Sequence, residues 1–461
     1  MSENWKFDLQ TISKLQARCS AVGLDLSIDE HVSPLTQPLV VGGCELPNSL
    51  AIHPMEGCDG NRDGTPGELT RRRYNRFAAG GSGLIWVEAI AVCEEGRANP
   101  RQLWINSKNK ESFAELIADI RRDAQASMGP EHRPYLVAQL THSGRYSRPI
   151  DKPAPMIAQR DPYRDPLAPE PYPTTDRPSK LTDAAIVSDD YLEGLKEKFV
   201  AAAELAIEVG FDAVDIKACH GYLICELLSA RGRTGRYGGS FENRTRFMIE
   251  VIESVQERLK SRAAVTTRMG CYDAVPYPFG WGIDREDYRR ADLSEPLRLV
   301  RMLEERGVEM INLTMANPYY NPHVGRPFTA PVKGGYPDPE DPLLGVKRLI
   351  DGVGAVQRAH PRIAIVGTGY SWLRHQVAPL GAAVKRAGLA SIIGVGRMGF
   401  AYPDFAKDII EDGAMQPGNC CIACSACTQM MRDGQPAGCP VRDREVYKPL
   451  YDEGRKGRDG T

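Results

Sequence analysis

EVGFDAVDIK, residues 208–217, closes a helical pattern, turns on a glycine and enters a short apolar strand. Three other stretches follow the same grammar: AAGGSGLIWVEA (78–89), ERGVEMINL (305–313) and RAGLASIIGVG (386–396). Glycine suits the position just past a helix end because it takes up the left-handed conformation without a Cβ clash. The apolar runs that follow do not alternate with polar residues, as expected of strands covered on both faces. Ahead of 208–217, Leu192, Leu195, Phe199, Ala202 and Ala206 recur at three- and four-residue spacing, which marks one face of a helix.

Four further β-like runs lie between these units: Ser49–His53, Tyr135–Leu140, Ala263–Arg268 and Arg362–Val366. Alternating β and α patterns imply a parallel sheet, and eight repeats imply an α/β chain folded as a TIM (β/α)8 barrel. An open doubly wound sheet would carry a G-x-G-x-x-G turn after its first strand, and none is present. The reading divides the chain into an N-terminal extension (1–35) with a short helix around Ile12–Ala21, a barrel (36–400) and a C-terminal segment (401–461). The last dozen residues of that segment are expected to be loose. Residues 146–182 hold nine prolines and read as a long ordered or lid-like loop after the third strand.

Composition narrows the function. Hydrophobic residues at 42% and charged residues at 26% exclude wholesale disorder. A formal charge of −2 argues against a nucleic-acid binder or a polybasic membrane surface. No apolar run is long enough to span a bilayer, and the polar start MSENWKFDLQ lacks a signal-peptide core, so a soluble, cytoplasmic chain is expected. Of twelve cysteines, five crowd into twenty residues: Cys420, Cys421, Cys424, Cys427 and Cys439. Uniform structural use would not cluster them so, which makes the cluster a metal-site candidate.

Chemistry in this fold sits at the C-terminal ends of the strands. There the first strand runs into Pro54-Met55-Glu56-Gly57-Cys58, the third into Gln139-Leu140-Thr141-His142, and the fourth into Lys217-Ala218-Cys219-His220-Gly221-Tyr222. The fifth ends at Arg268, the seventh at Gly367-Thr368-Gly369 and the eighth at Gly396-Arg397. The last two turns are where barrels build a phosphate site, and with an arginine and a glutamine deeper in the mouth they suit a phosphorylated planar cofactor.

These residues carry a resemblance to the Old Yellow Enzyme family of FMN-dependent oxidoreductases, within it to the iron–sulfur branch that includes 2,4-dienoyl-CoA reductase and trimethylamine dehydrogenase. The match runs from about Pro38 to Cys439. Its landmarks are Pro54-Met55, Gly83-Leu84-Ile85, Gln139-Leu140-x-His142-x-Gly144-Arg145, His220-Gly221-Tyr222-Leu223, Tyr237-Gly238-Gly239-Ser240-x-Glu242-Asn243-Arg244, Arg268, Arg326-Pro327 and Gly396-Arg397.

The resemblance implies FMN across the barrel mouth. Pro54, Met55, Glu56 and Ala89 would line the isoalloxazine, and Gln139 would hydrogen-bond its pyrimidine edge. Arg268 would stand near N1, where a guanidinium stabilises the anionic reduced flavin. Gly367, Gly369, Gly396 and Arg397 would hold the phosphate. His220 would donate to the substrate's activating carbonyl, Tyr222 would protonate its α-carbon, and hydride from FMN N5 would reach its β-carbon. Two positions depart from the family. Lys217 stands where relatives carry His or Tyr, and could bind a carboxylate or pair with Glu56 or Asp215. Glu56 replaces a small or sulfur-bearing residue and cannot attach a flavin covalently, so dissociable FMN is expected. A Glu56–Lys217 ion pair would explain both departures. The loop Ala316–His323 would cover the substrate, with His323 either a second donor or a surface histidine.

Cys421, Cys424, Cys427 and Cys439 are spaced like ferredoxin-type ligands of a [4Fe–4S] cluster, three in one tight loop and a remote fourth before a proline. Structural zinc more often uses two separated Cys-x2-Cys pairs, and the x2 spacing favours Cys421 over Cys420 as the first ligand. Larger relatives continue past the cluster with flavin- and nicotinamide-binding domains. With only about twenty residues after Cys439 to hold them, the expected electron partner is a separate protein (a ferredoxin, an electron-transfer flavoprotein or a separate reductase), or else a soluble nicotinamide visits the FMN directly. The leading expectation is reduction of an activated C=C bond in a small-molecule substrate by a homo-oligomeric enzyme. The alternatives are oxidation of an amine or a saturated substrate, and a non-catalytic electron-transfer or scaffold subunit.

Overall fold

Eight parallel strands close a barrel in the computed structural model, which describes residues 6–167 and 179–456. An antiparallel hairpin, β1 (Leu39–Val41) and β2 (Cys44–Leu46), precedes it. The barrel strands are β3 (Leu50–Ile52), β4 (Leu84–Ala91), β5 (Tyr135–Thr141), β6 (Ala213–Ile216), β7 (Ala264–Gly270), β8 (Met310–Thr314), β9 (Ala364–Gly367) and β10 (Ile392–Val395). Each pairs with its sequence neighbour, and β10 returns to β3. All eight start within the runs read from the sequence, and five of them continue one or two residues past the run's end.

Side-chain alternation divides the barrel into two cores. Leu84 and Trp86 of β4, Val137 of β5 and Ala213 of β6 point inward and form a small apolar core with Leu46 of the hairpin, which closes the N-terminal end. The sequence reading places no element between the N-terminal arm and the first barrel strand. The hairpin found there supplies the plug. The larger core lies between strands and helices. In the helix Asp189–Glu208, capped by the Ser188 hydroxyl accepting from Tyr191 N–H, the five periodic apolar residues are all buried against it.

Both flanks dock on the barrel. The helix Ile12–Ala21 buries Leu15 and Cys19, and Arg18 pairs with Asp341. The C-terminal segment corrects the expectation of a loose tail: a helix spans Arg444–Arg455, and residues 457–461 lie outside the described residues. Asp443, just before that helix, is buried and takes ion pairs from Arg72 and Arg76 of the helix Glu68–Ala79. The proline-rich loop up to Leu167 is pinned by the fully buried Arg145, which pairs with Glu226 and Asp165 and donates to Gln159 C=O. Residues 168–178 of that loop lie outside the described residues. No described helix is long and apolar enough to cross a membrane.

Candidate active site

Inward-pointing polar residues begin one layer above the apolar plug. Asp215 follows Ala213 by one pleat period and accepts from Gln139 Nε2 (2.6 Å), Trp86 Nε1 (2.7 Å) and the Arg268 backbone N–H (2.6 Å). Burial nevertheless pushes its carboxyl up to about 6. This carboxylate ties three strands together at the depth of Gln139 and Arg268. The Arg268 side chain rises past it, buried, and its Nε has no hydrogen-bond partner among the described residues. His53, at the end of β3, contacts Asn312 Nδ2 through Nδ1 and Gly367 C=O through Nε2. Burial, with Arg268 nearby, holds it neutral well below the usual histidine range.

Lys217, one period above Asp215, opens the mouth. It is 5% exposed, and its ammonium lies over the Tyr222 ring, 3.7 Å from the centroid. The expected Glu56–Lys217 ion pair is not formed. Glu56 Oε1 instead accepts from the Tyr222 hydroxyl at 2.9 Å and from Gln102 Nε2 at 3.2 Å, so the Tyr222 ring stands between the two charges. The His220-Gly221 turn makes this possible, since both residues are left-handed (φ +64° and +71°) and swing Tyr222 back over the mouth. A side chain at Gly221 would run into the Asn317 amide. His220 is half-buried, and burial together with Arg268 and Lys217 holds it neutral.

Two aromatic residues that sequence reasoning gave no role complete the mouth. Tyr319 shares a 3.0 Å hydrogen bond with the Tyr222 hydroxyl and stacks on Tyr146 at 4.1 Å, whose hydroxyl accepts from Asn317 Nδ2 at 2.7 Å. Tyr319 lies in the loop expected to cover the substrate, and Tyr146 follows the third-strand motif directly. Their position after a strand end was the available signal. His323 is neither a surface histidine nor a member of this cluster: it is buried, hydrogen-bonded to the Tyr336 hydroxyl at 2.8 Å, and pushed down to about 4 by burial.

The remaining expected cofactor residues form the rim. A register shift in β4 between Val87 and Ile90 releases Ala89, whose carbonyl accepts from Gln102 Nε2 (3.2 Å), the same amide that reaches Glu56. Glu88 turns outward onto Arg73, which also pairs with Asp59. Glu88 Oε2 accepts from Gly57 N–H at 2.9 Å, and this fixes the Pro54–Cys58 turn from behind. Met55 is half-buried against Gly396, where a Cβ would meet its Sδ at 2.9 Å. Gly369 ends the β9 turn in a left-handed conformation. Arg397 donates to Pro327 C=O through Nη2 at 2.6 Å, while its buried Nη1 has no partner among the described residues.

Beyond Arg397 lies a cavity lined by Cys421, Cys424, Cys427 and Cys439, with Pro440 and Arg442. Cys420 is outside it, its thiol directed at Gln416 C=O (3.4 Å). Among the described residues no three His, Cys, Asp or Glu side chains converge as a site for a single metal ion. Arg326 is half-buried beside Arg397 and the cavity. Burial and Arg397 lower its guanidinium to about 10, and its Nε has no partner among the described residues.

Residues 34–278 match the NADH:flavin oxidoreductase / NADH oxidase family. An NADPH dehydrogenase of Geobacillus sp. is 31% identical over 288 residues, covering 61% of this chain and 72% of that protein. An NADPH dehydrogenase of Bacillus cytotoxicus is 28% identical over 284 residues, covering 60% and 70%. Among solved structures, 2-naphthoyl-CoA reductase in complex with 2-naphthoyl-CoA superposes with a TM-score of 0.69 at 17% identity, over 92% of this chain and 58% of that one. Histamine dehydrogenase from Rhizobium sp. 4-9 gives 0.64 at 19%, over 90% and 52%. The chain spans little more than half the length of these two proteins, and at such identities the likeness is one of fold. The family match, on a barrel with this polar mouth, bears out the resemblance read from the strand ends: the chain belongs to the NADH:flavin oxidoreductase / NADH oxidase family and is a flavin-dependent oxidoreductase.

Proposed function

We propose that this barrel reduces an activated C=C bond, in an α,β-unsaturated carbonyl, acid or thioester, with FMN in its mouth and a [4Fe–4S] cluster in the cysteine cavity. The observation that carries the reading is the Tyr222 hydroxyl, held over the mouth by Glu56 and Tyr319 beside the cationic Lys217. Burial and Glu56 keep the phenol well above its usual range, so it carries its proton throughout physiological pH.

The residues present fit the flavin. The partnerless Nε of Arg268 and the partnerless Nη1 of Arg397 are buried cationic donors, suited to an anionic ring edge and to a phosphate. Pro54, Met55, Glu56 and Ala89 would line the ring, Gln139 would hold its polar edge, and Gly367, Gly369 and Gly396 would offer backbone N–H groups to the phosphate. The chemistry FMN would supply there is a hydride for the substrate's β-carbon. Neutral His220 and the Lys217 ammonium orient and polarise the activating group, Tyr222 delivers the α-proton, and Tyr146 and Tyr319 exclude water.

The cysteine cavity supports a cluster over zinc. The four cysteines line one cavity, and their spacing, three in a tight loop and a remote fourth before Pro440, is that of cluster ligands rather than of the paired Cys-x2-Cys motifs common in zinc sites. Arg326 and Arg397 stand beside them, where cations offset the negative charge of a thiolate-bound cluster. Cys421, Cys424, Cys427 and Cys439 would be its ligands, passing single electrons to or from a ferredoxin, an electron-transfer flavoprotein or a separate reductase.

A second reading, oxidation of an amine, draws on the Glu56 carboxylate among three tyrosines, an arrangement that attracts a cation. Lys217 opposes it by placing a positive charge in the same space. Anaerobic stopped-flow separates the two. Reduced holoenzyme should be reoxidised by an enone, and Tyr222→Phe should slow that step by about 10²- to 10⁴-fold with flavin retained. An unchanged rate removes the acid assignment, and flavin reduction by amines without reoxidation by enones replaces the reading with the second.

A further inference from the structure

Tyr222 is 2% exposed and is walled by Tyr319, Tyr146 and Lys217. A phenol so enclosed can give or take one proton, and must then exchange it with solvent before the next turnover. Its hydroxyl has two partners, Tyr319 and Glu56. Tyr319 is a second phenol, stacked on Tyr146, and burial and Glu56 hold it neutral as they hold Tyr222. Glu56 brings a carboxyl group to the same hydroxyl, and it is half-buried, where Tyr222 is fully enclosed.

The surroundings of Glu56 support the same role. Gln102 Nε2 bonds the same oxygen, Oε1, that Tyr222 bonds, and so fixes the carboxylate in register with the phenol. The next residue, Gly57, is anchored by its N–H to Glu88 and by its C=O to Ala437 N–H at 2.6 Å, so the turn bearing Glu56 is held from two sides. Lys217 lies over the Tyr222 ring face and forms no ion pair with Glu56.

We propose that Glu56 is the proton-relay residue of this site: it exchanges the Tyr222 proton with solvent in each catalytic cycle. In the reducing direction Tyr222 O–H breaks as the α-carbon C–H forms; the Glu56 carboxylate then takes a proton from solvent and passes it to the phenolate, which restores the phenol and the carboxylate. In the oxidising direction the same proton travels from phenol to carboxylate to solvent. The inference rests on Tyr222 as the acid or base of the proposed function, but it does not depend on the direction of the reaction.

The test uses the flavin-loaded enzyme with Glu56→Gln, which keeps the hydrogen-bonding shape and removes the exchangeable proton, and with Glu56→Asp as the conservative variant. Steady-state turnover of Glu56→Gln should fall about 10²-fold, and added formate should restore it in a concentration-dependent way, as a small carboxylate replaces the lost one. Tyr222→Phe should show no such rescue. Independently of turnover, the infrared difference spectrum between the reduced protein and the protein reoxidised by substrate should contain a carboxyl band that disappears in Glu56→Gln. A loss that formate does not rescue, in a variant with full flavin content, overturns the relay, and so does a difference spectrum identical to that of the wild type. Should Glu56→Gln lose flavin, Glu56→Asp with unperturbed turnover and an unperturbed band supports the relay, while a collapse equal to that of the glutamine variant overturns it. If enones fail as oxidants and amines reduce the flavin, the reductase reading falls and the same rescue is read in that direction.

Discussion

The Lys217 ammonium sits 3.7 Å above the centre of the Tyr222 ring, and the Tyr222 hydroxyl reaches the Glu56 carboxylate at 2.9 Å. One aromatic side chain thus holds apart two opposite charges that would otherwise neutralise each other. The consequence is a buried lysine with no hydrogen-bond or ion-pair partner among the described residues, facing the space where substrate would lie.

Lys217→Met should therefore weaken anionic ligands selectively. Titration of the oxidised flavoprotein with benzoate and benzamide, followed by flavin difference absorbance, should show an affinity loss of about 10- to 100-fold for the carboxylate and little for the amide. Equal losses for both would mean that Lys217 only shapes the pocket.

Gly57 has no room for a side chain, because a Cβ would enter the Arg73 guanidinium held between Asp59 and Glu88. Gly57→Ala should cost about 1–3 kcal/mol by urea denaturation and lower the flavin content of the purified protein, since the Pro54–Cys58 turn must move. Wild-type stability with full flavin would show that the turn is not clamped from behind.

Serine at Cys421, Cys424, Cys427 or Cys439 should each lower bound iron and the broad visible absorbance of protein prepared without oxygen, while Cys420→Ser should keep both. Zinc in place of iron by elemental analysis of the wild type would refute the cluster.

Acid should destabilise the fold from a definite point. His142 accepts from Gly144 N–H and bonds the Tyr191 hydroxyl, and burial lowers it from the ordinary 6.5 to about 4. The unfolded chain therefore binds a proton as pH falls through 6.5, while the native state does not until about 4. Stability is lost across that window, by roughly 3 kcal/mol from this residue alone. Denaturation midpoints measured between pH 7 and 4 should fall accordingly, and His142→Gln should flatten the slope.

The barrel was legible because its evidence is local. A glycine past a helix end followed by a short apolar strand recurs along the chain, and the sheet order follows from repetition. Gln139, Lys217, Tyr222 and Arg268 could be placed at the mouth because strand ends are fixed in sequence. The cysteine spacing separated Cys421 from Cys420, as the cavity does.

What the chain alone determined is thus which strand residues reach the mouth, since a pleat of period two assigns each of them to one face, whereas the loop residues Tyr146 and Tyr319 were not so assigned. Their partners were decided only in three dimensions. Whether Lys217 meets Glu56 or Tyr222 depends on the left-handed turn at His220-Gly221, 166 residues from Glu56 along the chain to Tyr222. The joining of Tyr319 to Tyr146 and Tyr222, and of Asp443 to Arg72 and Arg76, likewise needs loops brought together by barrel closure. Periodicity carries no information about contacts between distant segments, and those contacts set the charge and proton balance of the site.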